Sequence, residues 1–347
     1  MRIERNYEFT VEEGVQKQRV DAYLASRIEG LSRSALSNPM SSMTINGRPS
    51  KKSDAVKEGD IVSLSYVADV FEKVEPQDIP LDILYEDSSM LVINKAQGMV
   101  VHPGAGNTDG TIVNALAHRY GQGFIDAMAD GCDVTRPGIV HRLDKDTSGV
   151  MVIALNAKAH AALSAQFQNR EIEKYYYAFC DGIIPKHEDD IECLLARDKN
   201  NRKLFVPVKE KKYIIQGGLS KKRTQEIMDE VYTDPKYKVG GSVDRFSEGK
   251  YSKSHYEVVK QLPRAALVKV RIFTGRTHQI RVHMKSIGHP VIGDVMYNNR
   301  LSRFPGWSLM LHSSILEISH PDTGEMMHFE APLPQRFVDL EEALRKE

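Results

Sequence analysis

The chain has few cysteines, and their spacing gives them no obvious partners. Cys132, Cys180 and Cys193 are odd in number among 347 residues and form no C-x-x-C pair. This usage argues against a disulfide framework and against a zinc site. We therefore expect no bound metal and a cytoplasmic location.

Long apolar runs are missing as well. The longest uninterrupted one is Gly149–Leu155, whereas a helix needs about 20 apolar residues to cross a bilayer. The N-terminal residues Met1–Arg5 lack the apolar core of a signal peptide. We expect no contact with a membrane.

The sequence also lacks the motifs that hold common cofactors. It contains no P-loop, no G-x-G-x-x-G and no cluster of His and Cys residues at metal-ligand spacing. Hydrophobic residues make up 41% and charged residues 27%, which is typical of a globular protein. We expect a reaction that protein side chains can catalyse without a small-molecule cofactor.

Net charge is zero, with 47 basic and 47 acidic residues, but the charge is distributed unevenly. Residues 17–57 hold eight Lys or Arg against three acids, residues 197–223 hold ten against two, and residues 261–285 hold six and no acid. Residues 67–94 hold seven acids and one lysine. Basic patches favour a nucleic-acid partner, although solvated surfaces that happen to cluster remain an alternative.

Residues 1–66 predict a small module of helices and strands. Apolar spacing indicates a helix over Arg19–Ile28, and Ser32 is placed to cap a second one. Pro39 then falls where that second helix should continue. Met43–Arg48 predicts a strand that ends in an Asn-Gly turn, and a further strand is expected over Ile61–Tyr66.

Residues 67–80 form an acidic linker that contains Pro76 and Pro80. Residues 81–347 predict a second domain, in which strands outnumber helices and are too closely spaced for repeated β-α-β units. We therefore predict a mixed, mainly antiparallel α+β fold. Within it, residues 186–253 have weak periodicity and are expected to form a basic, loop-rich insertion.

The second domain also contains segments with clear periodicity. We predict helices over Thr111–Arg119 and Ala157–Arg170 and an apolar strand over Gly149–Leu155. A final helix is predicted from about Thr277 to Ile287.

The densest polar segment is Gly138–Gly149, between two apolar stretches. Asp144 stands at its centre. The residues alone leave two interpretations open: a tight turn in which Asp144 and Asp146 cap backbone N–H groups, or a loop that presents a catalytic carboxylate.

The run His141–Gly149 reads H-R-L-D-K-D-T-S-G and closely resembles a motif of the RluA family of pseudouridine synthases. Further blocks resemble that family in the same order: Val101–Asn107, Lys174–Ala178, Gly275–His283 and Gly288–Pro290. Three shorter blocks, Arg19-Val20-Asp21, Ser32-Arg33-Ser34 and Ile45-Asn46-Gly47, resemble an S4-type RNA-binding domain over residues 1–66.

This resemblance implies that the chain isomerises uridine to pseudouridine in structured RNA, by base flipping. It makes Asp144 the essential carboxylate and Arg281 its partner cation. Tyr176 is implied to stack on the flipped uracil, because Tyr175 and Tyr177 alternate to the other sheet face. Arg142 is implied to fill the gap in the RNA stack, and Arg276 to hold a phosphate.

In the first domain the implied RNA contacts come from basic residues: Arg19, Arg33, Arg48, Lys51 and Lys52. Within the family, Val74–Ile83 and His102–Asn107 are most similar to the large-subunit rRNA synthase D type. That similarity implies 23S rRNA, or a pre-ribosomal particle, as partner, with the helix 69 stem-loop as a target. We expect a monomer.

The residues leave two competing functions open. An RNA-binding assembly factor without turnover would bind RNA equally well, and a carboxylate-dependent hydrolase would need a second acid beside Asp144, for which Asp146 is the nearest candidate. His102, His141 and His278 are assigned no role.

Overall fold

The computed structural model places most of the chain. The residues it describes are 2–28, 36, 42–69, 74–104, 107–129, 136–198, 200–201, 203–207, 249–299 and 301–346. The predictions for Ser32, Arg33, Ser34, Pro39 and Cys132 lie outside these residues. The chain divides into two compact units, Met1–Glu75 and Pro76–Glu347, and the division falls inside the segment expected to be a linker.

The described residues of the first unit form six strands and one helix. They are β1 (Arg2–Thr10), β2 (Gln18–Arg19), α1 (Val20–Arg27), β3 (Ser42–Ile45), β4 (Arg48–Pro49), β5 (Ala55–Val56) and β6 (Ile61–Asp69). The strands form a sheet in the order β1-β6-β3-β4 and a β2-β5 pair. Asn46 and Gly47 have φ of 53° and 74°, so the predicted Asn-Gly turn between β3 and β4 is confirmed.

The second unit holds the larger sheet. Its elements are β7 (Ile83–Glu86), β8 (Met90–Lys95), α2 (Ile112–Ala129), β9 (Ser148–Ala154), α3 (Ala157–Asn169), β10 (Glu173–Asp181), β11 (Glu188–Arg197), β12 (Phe205–Pro207), β13 (Lys250–Gln261), β14 (Ala265–Ile272), α4 (Gln279–Ser286), β15 (Leu311–Ser319), β16 (Met326–Glu330) and α5 (Gln335–Arg345). The sheet order is β12-β11-β13-β14-β10-β15-β9-β8-β7, with β16 paired to β15. All these pairs are antiparallel except β9 with β15, which confirms the predicted mixed, mainly antiparallel sheet.

The parallel β9-β15 pair is the seam that joins the two antiparallel halves of this sheet. Gly149 pairs with Ser313 across the seam. Its φ is 116°, and a Cβ on this residue would stand 2.0 Å from the carbonyl oxygen of Ser313. Only glycine permits this conformation and this approach, which gives a physical reason for the last residue of the H-R-L-D-K-D-T-S-G run.

Two predictions about this unit are wrong. The segment 186–253 is not loop-rich at its ends, because β11, β12 and the start of β13 are strands of the main sheet. The helix predicted from about Thr277 to Ile287 exists as α4, but it is not the last one: α5 follows it.

Helix α2 extends well beyond the predicted Thr111–Arg119. It runs from Ile112 to Ala129 and is interrupted at Gly121, whose φ is 75°. Among the helices of the described segments, none is long and apolar enough to cross a membrane.

Candidate active site

A cavity of about 630 Å³ opens at the seam of the larger sheet. Its walls come from the loop before β9, the end of α3, β10, and the segment that links β14 to α4. The charged or titratable residues that line it are His141, Arg142, Asp144, Arg170, Lys174, Tyr176, Arg276, His278 and Arg281. Among the described lining residues Asp144 is the only acid, so this is a cationic cavity built around one carboxylate.

Asp144 lies on the loop that leads into β9, with its side chain 23% exposed towards the cavity. Its Oδ2 stands 3.6 Å from Nη1 of Arg281. A carboxylate that must stay charged away from bulk water needs a fixed cation nearby. Arg281 is in position to be that cation, as the resemblance implied.

Arg281 is itself held by a second acid, Asp294. Its Nε and Nη2 each donate a hydrogen bond of 2.7 Å to the Asp294 carboxylate, which also accepts the backbone N–H groups of Met296 and Tyr297 at 2.9 and 3.0 Å. Burial acts to lower the pKa of Arg281, but Asp294, joined by Asp144, raises it above its ordinary value. The guanidinium is therefore a permanent, oriented charge.

The Arg281 side chain is buried, only 7% exposed, and a buried arginine requires an acid partner. Sequence reasoning gave no role to Asp294. The usable signal was its place in the resemblance, since Gly293-Asp294 follows the Gly288–Pro290 block.

Tyr176 is buried on β10, and Tyr175 and Tyr177 do not line the cavity. Burial and the charge of Asp144 outweigh a hydrogen bond with Ser313 and raise the pKa of Tyr176 to about 12. The phenol therefore keeps its proton at neutral pH. It can offer a ring face and a hydrogen-bond donor, but not a base.

His278 is a site residue that sequence reasoning missed. It precedes α4 in a left-handed conformation, with φ of 57°, and its Nε2 lies 3.8 Å from Oδ2 of Asp144. Its Nδ1 is 2.8 Å from the hydroxyl of Tyr297, which accepts the backbone N–H of Phe205 at 2.8 Å. No periodicity marks a residue placed by such a turn.

The loop that carries Asp144 is anchored at its start by His141. The Nε2 of His141 accepts the Val152 backbone N–H at 3.0 Å, and the ring stacks on Phe167 at 4.5 Å. Burial lowers the pKa of His141 to about 3, so the ring is a neutral acceptor. Its place here is structural.

Lys95, at the end of β8, anchors the other side of the loop. This buried side chain donates to the carbonyl oxygens of Ala96, Met99 and Lys145 at 2.9, 2.9 and 3.0 Å. The Lys145 carbonyl belongs to the residue that follows Asp144. Lys95 therefore fixes the loop backbone immediately beside the carboxylate.

We expect Lys95→Met to slow turnover by about tenfold to a hundredfold while RNA affinity changes little, because three backbone carbonyls lose their shared donor and the loop loses its position. The measurement compares kcat with the dissociation constant for RNA. The exposed Lys158, which pairs with Asp322 at 2.8 Å, gives the matched control Lys158→Met. A variant with unchanged kcat would contradict this role.

The other predicted residues divide between the two units. Arg142 is exposed at the cavity, and Arg276 donates from Nε to the carbonyl of Tyr251 at 3.0 Å just before α4. In the first unit Arg19 forms two hydrogen bonds with Asp21, at 3.0 and 2.9 Å. Three more basic residues lie at the surface there: Arg48 and Lys51 are exposed and Lys52 is half-buried.

Comparison with known proteins adds independent information. A family model described as RNA pseudouridylate synthase matches residues 89–286. An uncharacterised RNA pseudouridine synthase of Bacillus subtilis is 34% identical, over 98% of this chain and 98% of that protein. The ribosomal large subunit pseudouridine synthase D of Zymomonas mobilis is 37% identical, over 91% of this chain and 90% of that protein. The ribosomal large subunit pseudouridine synthase D of Escherichia coli is 34% identical, over 97% of this chain and 93% of that protein.

Two solved human structures are similar in fold. Human RNA pseudouridylate synthase domain containing 4 aligns with a TM-score of 0.53 at 24% identity, over 76% of this chain and 93% of the other. Human RNA pseudouridylate synthase domain containing 1 aligns with a TM-score of 0.51 at 23% identity, over 79% and 97%. At these identities the likeness extends to the fold alone.

Proposed function

Because the chain belongs to the family of RNA pseudouridylate synthases, which are isomerases, we propose that it modifies uridines of large-subunit ribosomal RNA with Asp144 as the catalytic carboxylate. The observation that carries this proposal is the cavity. Its only acid among the described lining residues is Asp144, which lies 3.6 Å from the immobilised guanidinium of Arg281.

The reaction breaks the bond from N1 of uracil to C1′ of the ribose, turns the ring, and forms a bond from C5 to C1′. A proton leaves C5 and one is gained at N1, so no atoms and no electrons are exchanged with a cofactor. An ionised carboxylate can attack C1′, attack C6 of the ring, or act as the base that assists cleavage. Arg281 would pair with the Asp144 carboxylate and orient it, and Tyr176 would hold the ring face with its phenol protonated.

The competing functions are less well supported. A hydrolase that uses paired acids would place a second carboxylate in the cavity, but Asp146 is exposed and lies outside the described cavity lining. An assembly factor without turnover would have no need for the bidentate Arg281–Asp294 pair that aims a cation at Asp144.

The substrate is inferred from the relatives named large subunit pseudouridine synthase D and from the similarity of residues 74–83 to that type. We extend the proposal to the helix 69 stem-loop of 23S rRNA, either free or in a pre-ribosomal particle. A ribosomal substrate would place the enzyme in the cytoplasm. We retain the prediction that it acts as a monomer without a cofactor.

The proposed function is tested by mapping pseudouridines in total RNA from cells with and without the protein. We expect specific positions of large-subunit rRNA, including helix 69, to lack pseudouridine when the protein is absent, and to regain it with the parental gene but not with the Asp144→Asn gene. Losses confined to tRNA would overturn the proposed substrate. No loss at any position would overturn the proposed reaction in the cell.

Arg142→Ala is expected to slow modification of a folded stem-loop by about tenfold more than modification of an unstructured RNA of the same sequence. Extrusion of a stacked base costs a few kcal/mol, and in this proposal the guanidinium of Arg142, which is exposed at the cavity, fills the gap that the base leaves. The measurement is kcat/KM on both RNAs. Equal losses on the two would assign Arg142 to the chemistry instead.

We also propose that the first unit is an S4-type RNA-binding domain. Its support is the basic excess in residues 17–57, the Asn46-Gly47 turn, and the surface positions of Arg48, Lys51 and Lys52 close to that turn. Arg19 contributes less in this proposal, since Asp21 holds its guanidinium.

The triple variant Arg48→Gln/Lys51→Gln/Lys52→Gln should weaken RNA binding and leave kcat unchanged. Each cation that pairs with a phosphate contributes roughly 0.7–0.9 to the slope of log affinity against log salt, so the slope should fall by about two to three. The check is a binding titration at several salt concentrations. A slope equal to that of the parent would contradict RNA contact at this surface.

A further inference from the structure

Lys174 lines the cavity but has no part in the chemistry described above. It stands near the start of β10, two residues before Tyr176. Its Nζ lies 5.4 Å from the centroid of the Phe167 ring, and 3.8 Å from where a Cβ on Gly275 would stand. The ammonium group therefore sits between the end of α3 and the segment that leads from β14 to α4.

The surroundings of this ammonium group are unusual for a cation in a cavity wall. Within the described part of the chain, no carboxylate lies within ion-pair distance of Nζ and no side chain or carbonyl accepts a hydrogen bond from it. Burial lowers the pKa of Lys174 to about 8. A cation that has lost part of its hydration without gaining a counter-ion is well placed to gain free energy from an anionic ligand.

The rest of the cavity favours an anion at the same place. Four further cations line it, Arg142, Arg170, Arg276 and Arg281. Against them stand the carboxylates of Asp144 and of Asp294, which both lie beside Arg281. The excess is positive, and RNA carries one negative charge on each phosphate.

The position of Lys174 along β10 identifies which phosphate is within reach. Residues two apart on a strand are about 7 Å apart along it and share a face. The distance of about 7 Å between Lys174 and Tyr176 along the strand is comparable with the distance from a nucleobase to the phosphate of its own nucleotide. With the uracil against Tyr176, the ammonium of Lys174 stands where that nucleotide's backbone would pass.

We propose that Lys174 binds a backbone phosphate of the nucleotide that enters the cavity, and that this contact holds the nucleotide while its base is detached and turned. The assignment rests on the proposed function for the identity of the base, but the anion site itself rests on the geometry of Lys174. The proposed phosphate contact makes Lys174 a residue that positions the substrate.

The test pairs protein variants with RNAs in which one phosphate at a time is replaced by an uncharged methylphosphonate. The replaced linkages are those on the 5′ and 3′ sides of the target uridine and of its two neighbours, in a fragment of large-subunit rRNA. Dissociation constants are measured for the parental protein, Lys174→Met and Lys174→Arg. Lys186→Met is the control, since Lys186 is exposed and pairs with Asp189 at 2.8 Å.

For the parental protein, we expect one linkage next to the target uridine to weaken binding by on the order of tenfold when it is neutral. Lys174→Met should bind the natural RNA about as weakly as the parent binds the RNA in which that one linkage is uncharged. Its affinity should not fall further when the same linkage is uncharged. Lys174→Arg should still lose affinity when that linkage is uncharged, and Lys186→Met should behave as the parent. A purely structural role for Lys174 would weaken binding to every RNA by one common factor.

Isomerisation of the same natural fragment by the parental protein is measured in parallel. If the parent isomerises uridine but Lys174→Met still responds to every linkage as the parent does, the phosphate contact is wrong and the proposed function stands. If the parent binds without isomerising, the proposed function fails on this RNA, and the linkage data decide the role of Lys174 independently.

Discussion

Asp144→Asn is expected to lower the rate of pseudouridine formation by at least about a thousandfold, or roughly 4 kcal/mol of barrier. The substitution keeps the size of the side chain but removes the charge that attack or proton abstraction requires. RNA affinity should be nearly intact or slightly higher, because one negative charge is lost from a cavity that must accept phosphates. A tritium-release assay and a gel-shift titration on the same RNA fragment measure the two quantities.

The control for this prediction is Asp146→Asn, which changes an exposed acid two residues away that lies outside the described cavity lining. It should retain turnover near the parental rate. If Asp146→Asn lost turnover while Asp144→Asn kept it, the catalytic carboxylate would be Asp146. Loss of affinity in step with rate in Asp144→Asn would mean that the carboxylate holds the loop together.

Arg281→Met is expected to lower both stability and rate. It leaves the Asp294 carboxylate buried without its cation, which should reduce the free energy of unfolding by about 3–5 kcal/mol. It also removes the charge that stands 3.6 Å from Asp144, so kcat should fall at least about a hundredfold, or roughly 3 kcal/mol. Thermal or denaturant unfolding and single-turnover kinetics measure the two effects separately.

A second substitution separates these effects. Arg281→Met/Asp294→Asn removes the uncompensated charge as well, so it should regain part of the lost stability and none of the lost rate. Arg271→Met serves as the control, because its pair with Glu173 at 2.6 Å is more than one-third exposed and should contribute less than about 1 kcal/mol. Recovery of rate together with stability would show that Arg281 acts only through the fold.

The sequence predicted the general architecture because the apolar strands and amphipathic helices carry their own periodicity. β9 and α3 were placed within one residue at each end. β11 was missed for a physical reason: four of its first five residues are acids, Glu188, Asp189, Asp190 and Glu192, and they hide any apolar alternation. Lys253 on β13 compensates two of them, at 3.0 and 2.7 Å, and a cross-strand partner is known only once the sheet is built.

Prediction of the site had a similar limit. The residues around Asp144 left both a capped turn and a catalytic loop open and favoured the turn slightly, whereas the resemblance of the motif favoured the catalytic loop. Asp294 lies 13 residues after Arg281, and His278 reaches Asp144 from a left-handed turn. Neither contact follows from local spacing, because both depend on how separate segments fold onto one cavity wall.

The seam between β9 and β15 also sets the order in which the active site can form during synthesis. The loop with Asp144 leads into β9, yet the partner strand emerges more than 150 residues later, and Arg336 of α5 donates to Ser148 at 2.6 Å. Chain growth is slow compared with local folding. A nascent chain that has exposed the whole H-R-L-D-K-D-T-S-G segment therefore still lacks the strand that supports it. An active site with this support therefore cannot form before β15 and α5 have been synthesised, so a new copy cannot begin RNA modification while those elements are still missing.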